Sequence, residues 1–370
     1  MSSWKLVKLN FGRNPVHFGR LGIGMEETAE RVQSDTLFSA WVSNYAHLFG
    51  KAKVEELLEK FPKHSQYAKD SNQESPAVKI SSTFIYRQTE GKTTQPKIIY
   101  YLPRPMEFPI NYPENDLDFF KTYKKLKYLP LEIWRRWYQG EGFTSEDRDE
   151  LIERTTKKQT DGNLNKSGMF DYGKTYEINK HPKIAVDRIT AATNFFHTGL
   201  VQFRWENETS GLYFLLNFPQ KDEKLEKELK AALELLGDEG LGGERSSGAG
   251  RFTIEWFDEL PEPWDKVIKS PGTHHTLIAL FWDSPITQDF LKNAAYDIQE
   301  RGGWIGDVNL RRKMVRMFTE GSVFLEQPQG KLVDVTPREL IDGRKYKFHP
   351  IYRSGISLTL PIKIKNIKSS

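Results

Sequence analysis

The chain of 370 residues contains no cysteine. That excludes disulfides, thiolate metal ligands and cysteine nucleophiles together. It also lacks long apolar runs. Nowhere do eighteen consecutive apolar residues occur, so no membrane-spanning helix is expected. The opening MSSWKLVKLNFGRN carries no apolar stretch of signal-peptide length, and a reducing, cytoplasmic location is the expectation. Charge of one sign is barely in excess: 54 Lys and Arg face 50 Asp and Glu, a net +4. An anionic partner is permitted only where the cations gather on one face. Histidine and carboxylate clusters at metal-ligand spacing are missing too. His274 and His275 are adjacent, and neighbours in a strand point to opposite faces. No metal and no cofactor is expected.

What is present is a folded chain, with 38% hydrophobic and 13% aromatic residues. WKLVKLNF reads as a first strand. SDTLFSAWVSNYAHLFG reads as a buried helix, with Ser34 or Asp35 as its N-cap, Leu37, Trp41, Tyr45 and Leu48 on the inner stripe, and Gly50 at its end. VKISSTFIYR and KIIYYLPRP read as strands. HPKIAVDRIT and FFHTGLVQFRW read as two strands with a short connection, and SGLYFLLNF as a buried strand. KDEKLEKELKAALELLG is an amphipathic helix with Leu225, Leu229, Leu233 and Leu236 on one face. RFTIEWF and HTLIALFW read as strands, ITQDFLKNAAYDIQE as a helix, and GISLTLPIKIK as a closing strand. The fold class that follows is α+β, in two halves meeting near residue 205. The second half would be a ferredoxin-like, RRM-type sandwich of four antiparallel strands under helices.

Between that amphipathic helix and the next strand lies GLGGERSSGAGRF, residues 240–252. It lacks the lysine of a phosphate-binding P-loop, and it follows a helix where a dinucleotide fingerprint would open one. Its glycines can take positive φ and admit a close backbone, and successive N–H groups can form an anion-binding nest. Arg245 and Arg251 would add charge, and Ser246 and Ser247 hydrogen bonds. These suit a phosphodiester backbone and suit neither proton transfer nor metal binding. A long turn without function is the alternative. FFKTYKKLKYLPLEIWRRWY, residues 119–138, leaves two readings open as well. Lys121, Lys124, Lys125, Lys127, Arg135 and Arg136 line an RNA or partner face, or they are the solvated side of a buried aromatic segment.

The combination of motifs resembles one known family. GGERSSGAGRF is similar to the glycine-rich loop of the RAMP superfamily of CRISPR-associated proteins. VHFGRLGIGMEETAERVQSDTLFSAW resembles the N-terminal signature of one branch, the type III-A (Csm) effector-complex subunit that grips the 5′ tag of the guide RNA. IAVDRITAATNFFHTGLV is similar to that family's D-R-x-T strand and hairpin, and RMFTEGSVF and YRSGISLTLPI to its C-terminal strands. The family often has histidine just before the Ser-Asp pair, where this chain has Gln33.

The resemblance implies two ferredoxin-like (RRM-type) halves, residues 1–205 with insertions and a protruding β-hairpin, and residues 206–370 with the glycine-rich loop. It implies a subunit that binds guide RNA (crRNA) by its 5′ tag without cutting it. Its partners would be the large polymerase-like subunit and the backbone RAMP subunits of an antiviral complex. Carried onto this chain, the RNA-binding residues are Gly242, Gly243, Arg245, Ser246, Ser247, Gly248, Gly250 and Arg251 in the loop. Ser34 and Asp35 stand at a helix N-terminus, where phosphate or a splayed base could be received. Asp187, Arg188 and Thr190 lead the hairpin, and His17 and Arg20 lie in the first loop. Phe195, Phe196 and Phe252 are candidate stacking rings. Some RAMP relatives process precursor guide RNA, which needs a general base. His17 is the candidate for that rival function, though RNA contact or a structural role fits it better. The equivalent subunit of a type III-B complex is the other alternative.

Overall fold

The computed structural model describes residues 2–19, 24–64, 75–89, 96–113, 115–157, 159–305, 310–337 and 349–364. The elements that build the molecule are these, in chain order. Strand β1 (Ser3–Asn10) precedes helix α1 (Ser34–Glu59). Then come β2 (Lys79–Ile80), β3 (Phe84–Thr89), β4 (Lys97–Pro103), β5 (Tyr128–Pro130) and α2 (Leu131–Gln139). Two long strands follow, β6 (Tyr176–Val186) and β7 (Thr193–Phe203), then β8 (Glu208–Phe218), α3 (Glu223–Glu239) and β9 (Thr253–Phe257). The rest holds β10 (His274–Leu277), β11 (Ile298–Arg301), β12 (Val315–Phe318), β13 (Val323–Phe324) and β14 (Thr359–Ile362).

The main sheet runs β9-β1-β8-β3-β4-β5 and is antiparallel throughout, with β2 also pairing β8. Its strand β8 is buried over nearly its whole length, because both faces of the sheet are covered. Leu212, Phe214 and Leu216 point to one side, where they meet Leu37, Phe38 and Trp41 of α1 and Leu225, Leu229 and Leu233 of α3. Tyr213 and Leu215 point to the other side, against Trp134 and Trp137 of α2, Trp264, and Leu360 and Ile362 of β14. The two helices are fastened to each other as well: Trp41 Nε1 donates to the Leu229 carbonyl at 2.7 Å, and the Tyr45 hydroxyl to Glu228 at 2.6 Å.

β8 and β9, from the expected second half, flank β1 of the first and complete its sheet. The amphipathic pattern of α3 told which face is apolar but not which sheet it covers. Smaller sheets include β13-β10-β14 and the pair β11-β12. The helix expected at 286–300 is reduced to one turn, Gln288–Leu291. Asn293 takes a positive φ of 60°, and Ile298–Arg301 pair instead with Val315–Phe318 as β11. VKISSTFIYR is also split. Ser81, Ser82 and Thr83 interrupt it and turn their hydroxyls to backbone groups of Leu215, Ser34 and Val32. Leu48, expected on the inner stripe of α1, is exposed, and Gly50 breaks the helix at φ 79° before it resumes.

Strands β6 and β7 form a hairpin paired from Tyr176–Phe203 to Val186–Thr193. At strand rise that is about 35 Å long. It pairs with no other sheet among the described residues.

Candidate nucleic-acid interface

The glycine-rich segment is a tightly folded turn. Gly242 has φ 100° and Gly250 φ 87°, a region that L side chains rarely adopt. A Cβ on Gly242 would lie 2.3 Å from the His17 carbonyl oxygen, and one on Gly250 would lie 2.5 Å from that of Leu241. Backbone bonds fix the same contacts: Gly243 N–H donates to His17 O at 2.9 Å, Gly250 N–H to Pro15 O at 2.8 Å, and Leu241 N–H to Gly250 O at 2.9 Å. Gly248 and Ala249 donate to Arg245 and Glu244 carbonyls. The expected nest of free amides is therefore largely spent within the fold. What the turn presents to solvent is its side chains: Arg245, Ser246, Ser247 and Arg251 are exposed.

Residues 15–18 are the hub. On one side His17 bridges Gly243, and on the other Val16 exchanges both backbone bonds with Val201 of β7, at 2.9 and 2.8 Å. His17 itself is 7% exposed, and its Nδ1–H donates to the Gly199 carbonyl at 2.8 Å. It ties the first loop to the hairpin root and is not presented to a ligand. Arg20, its neighbour among the expected site residues, lies outside the described residues. A second tie runs from β6. The Lys183 ammonium donates to the Glu244 carboxylate and, at 3.1 Å, to the Ser247 hydroxyl. The Lys183 hydrogen bond outweighs partial burial and holds Glu244 below the usual carboxylate range. Lys183 and Glu244 were not singled out from the sequence. Only the alternation along β6, which puts Lys183 opposite the apolar Ile184, could have pointed to the first of them.

At the hairpin tip Asp187 is a turn former. Its Oδ1 accepts from Ile189 N–H and Thr190 N–H, both at 2.8 Å, so its pKa is lowered by those backbone donors. Arg188 is exposed there, and Ile189 is 95% exposed. Of the three candidate stacking rings only Phe195 is open, at 60%. Phe196 is half-buried, and Phe252 is core, 5.5 Å from Phe11.

Ser34 and Asp35 are both buried in the interior. The Ser34 hydroxyl accepts from Leu280 N–H at 3.0 Å and caps nothing in α1, whose N-cap is Gln33. Asp35 is fully buried and accepts from Arg301 Nε and Nη2, both at 2.9 Å, and from Arg353 Nη1. Burial alone would raise its pKa, but the two guanidiniums hold it below the ordinary value. A second buried pair lies beside it, Arg31 to Glu320 at 3.1 and 3.2 Å. Here too burial opposes ionisation and the arginine prevails, so Glu320 is lowered. The helix opening expected to receive phosphate is thus an anionic latch, closed by arginines of the C-terminal part. The blocks SDTLFSA, TEGSVF and YRSGIS meet there in the interior.

In residues 119–138 the aromatic rings other than Phe120 pack in the core, while Lys121, Lys124, Lys125, Lys127 and Arg135 are exposed. Arg136 is bound to Asp147 at 2.5 and 2.7 Å. Among the described residues no group of three or more His, Asp or Glu is placed to hold a metal, and no helix is long and apolar enough to cross a membrane.

Comparison with known proteins bears on the same regions. Residues 270–362 match the CRISPR Csm4 C-terminal domain. The chain is 25% identical over 369 residues to the CRISPR system protein Csm4 of Methanocaldococcus jannaschii, covering 94% of this chain and 95% of that one. It is 28% identical over 257 residues to the Streptococcus thermophilus Csm4, covering 64% and 70%. In fold it resembles a chain of the Csm3–Csm4 subcomplex of the type III-A CRISPR-Cas interference complex, at TM-score 0.56 and 21% identity, covering 97% and 99%. It also resembles a chain of a Csm1–Csm4 cassette, at TM-score 0.51 and 16% identity, covering 99% and 100%. Residues 270–362 thus carry a match to the Csm4 C-terminal domain, and the chain as a whole is similar from end to end to curated Csm4 proteins.

Proposed function

We propose that the chain is a non-catalytic RNA-binding subunit of a cytoplasmic type III-A interference complex. It anchors the 5′ tag of the guide RNA and docks the large polymerase-like subunit on one side and a backbone RAMP subunit on the other. The observation that carries this is the glycine turn, locked on residues 15–18 with Arg245, Ser246, Ser247 and Arg251 outward, beside the long β6–β7 hairpin. A rigid backbone with outward cations and hydroxyls suits phosphate contacts that fix register without reading sequence. The partners follow from relatives, since a Csm4 chain occurs with Csm3 in one solved complex and with Csm1 in another. The order β9-β1-β8-β3 with α1 and α3 on one face is the 4-1-3-2 order of a ferredoxin-like half, and we read it as one. A protein of this kind needs no general base, and the buried His17, with Nδ1 committed to a carbonyl, is badly placed to be one.

The test is the purified complex assembled with Arg245→Ala and Arg251→Ala together. Guide RNA content should fall, and the salt dependence of RNA binding should flatten by about two phosphate contacts. Guide content and salt slope equal to wild type would refute the reading.

A further inference from the structure

A cleft of about 390 Å³ opens where the glycine segment runs into β9. That is at the lower end of the roughly 300–1,000 Å³ that small-ligand sites span. Asn10 lines it from the end of β1, Asn14 from the turn that follows, Asp238 from the last turn of α3, and Arg251 from the end of the glycine segment. The buried rings of Phe11 and Phe252 lie beneath.

Two opposite charges face this cleft without being paired. Neither Asp238 nor Arg251 has an ion-pair partner among the described residues, and the two do not pair with each other. Asp238 is also placed against the electrostatics of its own helix. It stands in the last turn of α3, which carries no basic residue, where the carbonyl end of the helix repels a carboxylate. It therefore serves no evident purpose in the fold. The two amides are each half used: Asn10 Oδ1 accepts from Gly12 N–H at 2.9 Å, and Asn14 Nδ2 donates to the Arg251 carbonyl at 3.3 Å. One amide nitrogen and one amide oxygen are left to the cleft.

We propose that this cleft holds one nucleotide of the bound RNA, its phosphate on Arg251 and an amino-bearing base edge on Asp238. The proposal rests on the RNA-binding function above and adds a base preference to it. A carboxylate accepts from the exocyclic amine of adenine, cytosine or guanine, and uracil has no such amine. The free amide groups of Asn10 and Asn14 supply a donor and an acceptor for the remainder of the base edge.

The full chain should be titrated with labelled single-stranded octamers of adenine, of cytosine and of uracil, at low salt. Asp238→Ala should weaken binding of the adenine and cytosine octamers about tenfold and leave the uracil octamer unchanged. Asp238→Asn keeps an acceptor oxygen without the charge and should weaken the same two octamers by less. Since both variants remove a charge opposed to the helix dipole, their unfolding midpoints should not fall. Binding of all three octamers that neither variant alters would overturn the cleft assignment alone. Failure of the wild-type chain to bind any octamer would overturn the RNA-binding function with it.

Discussion

Asp35→Ala tests how the two parts of the chain are held together. The carboxylate is fully buried and accepts two bonds of 2.9 Å from Arg301 and a third from Arg353. Removing it strands two guanidiniums, and the Arg353 side chain is only 4% exposed. Breaking a buried ion pair from one side costs about 3–5 kcal/mol, because the remaining charge stays desolvated and uncompensated. Replacing every member with apolar groups of similar volume is often neutral. Asp35→Ala should therefore lower the unfolding free energy by about 3–5 kcal/mol. Adding Arg301→Met and Arg353→Met should recover most of the loss. Glu55→Gln, in the exposed pair with Lys51 at 3.7 Å, is the control and should change stability by less than about 0.5 kcal/mol. Urea unfolding of the full chain, followed by tryptophan fluorescence and circular dichroism, measures all three. A loss below about 1 kcal/mol for Asp35→Ala at unchanged urea dependence would refute the latch.

Two further outcomes follow from the same geometry. Gly242→Ala should destabilise the chain by about 2 kcal/mol or more, through a disfavoured φ and a Cβ driven onto the His17 carbonyl. Gly248→Ala shares the positive φ (88°) but meets no atom within 4 Å, and should cost about 1 kcal/mol. Equal losses in urea melts would show that the close approach to His17 is unimportant. Acid should open the latch as well. Asp35 and Glu320 both have folded pKa values below their ordinary ones, so they stay charged in the fold where the unfolded chain takes up protons. Their contribution is complete above about pH 5, clear of the ordinary carboxylate values, and is lost as pH falls from there through the lower folded values. Stability measured between pH 5 and 2 should fall, and less steeply in Asp35→Ala. Identical slopes would contradict the assignment.

Much of the fold was legible because burial imposes periodicity. The stripe of α3, the first strand β1 and the unbroken apolar run of β8 all carried through to the structure. The sheet they join was not legible. Which strand pairs β1 is a long-range matter, and β9 lies some 250 positions away in the register. The expected helix at 286–300 failed because its apolar residues serve a short turn and then a strand. At the site, the glycines signalled a special backbone correctly, but what they approach is residues 15–18 of this chain. Ser34 and Asp35 stood out as polar residues before an apolar run. Sequence spacing could not disclose Arg301 and Arg353, far downstream, as their interior partners. The cleft charges Asp238 and Arg251 likewise come from separate elements and converge only in the folded chain.

The most direct measurement is nucleotide-resolved crosslinking of guide RNA within the assembled complex, with crosslinked peptides identified by mass spectrometry. The account predicts that the 5′ end of the guide crosslinks to the peptide spanning Gly242–Arg251 and to the root of the β6–β7 hairpin. Crosslinks from that end confined to other surfaces of this chain, or to other subunits alone, would contradict it.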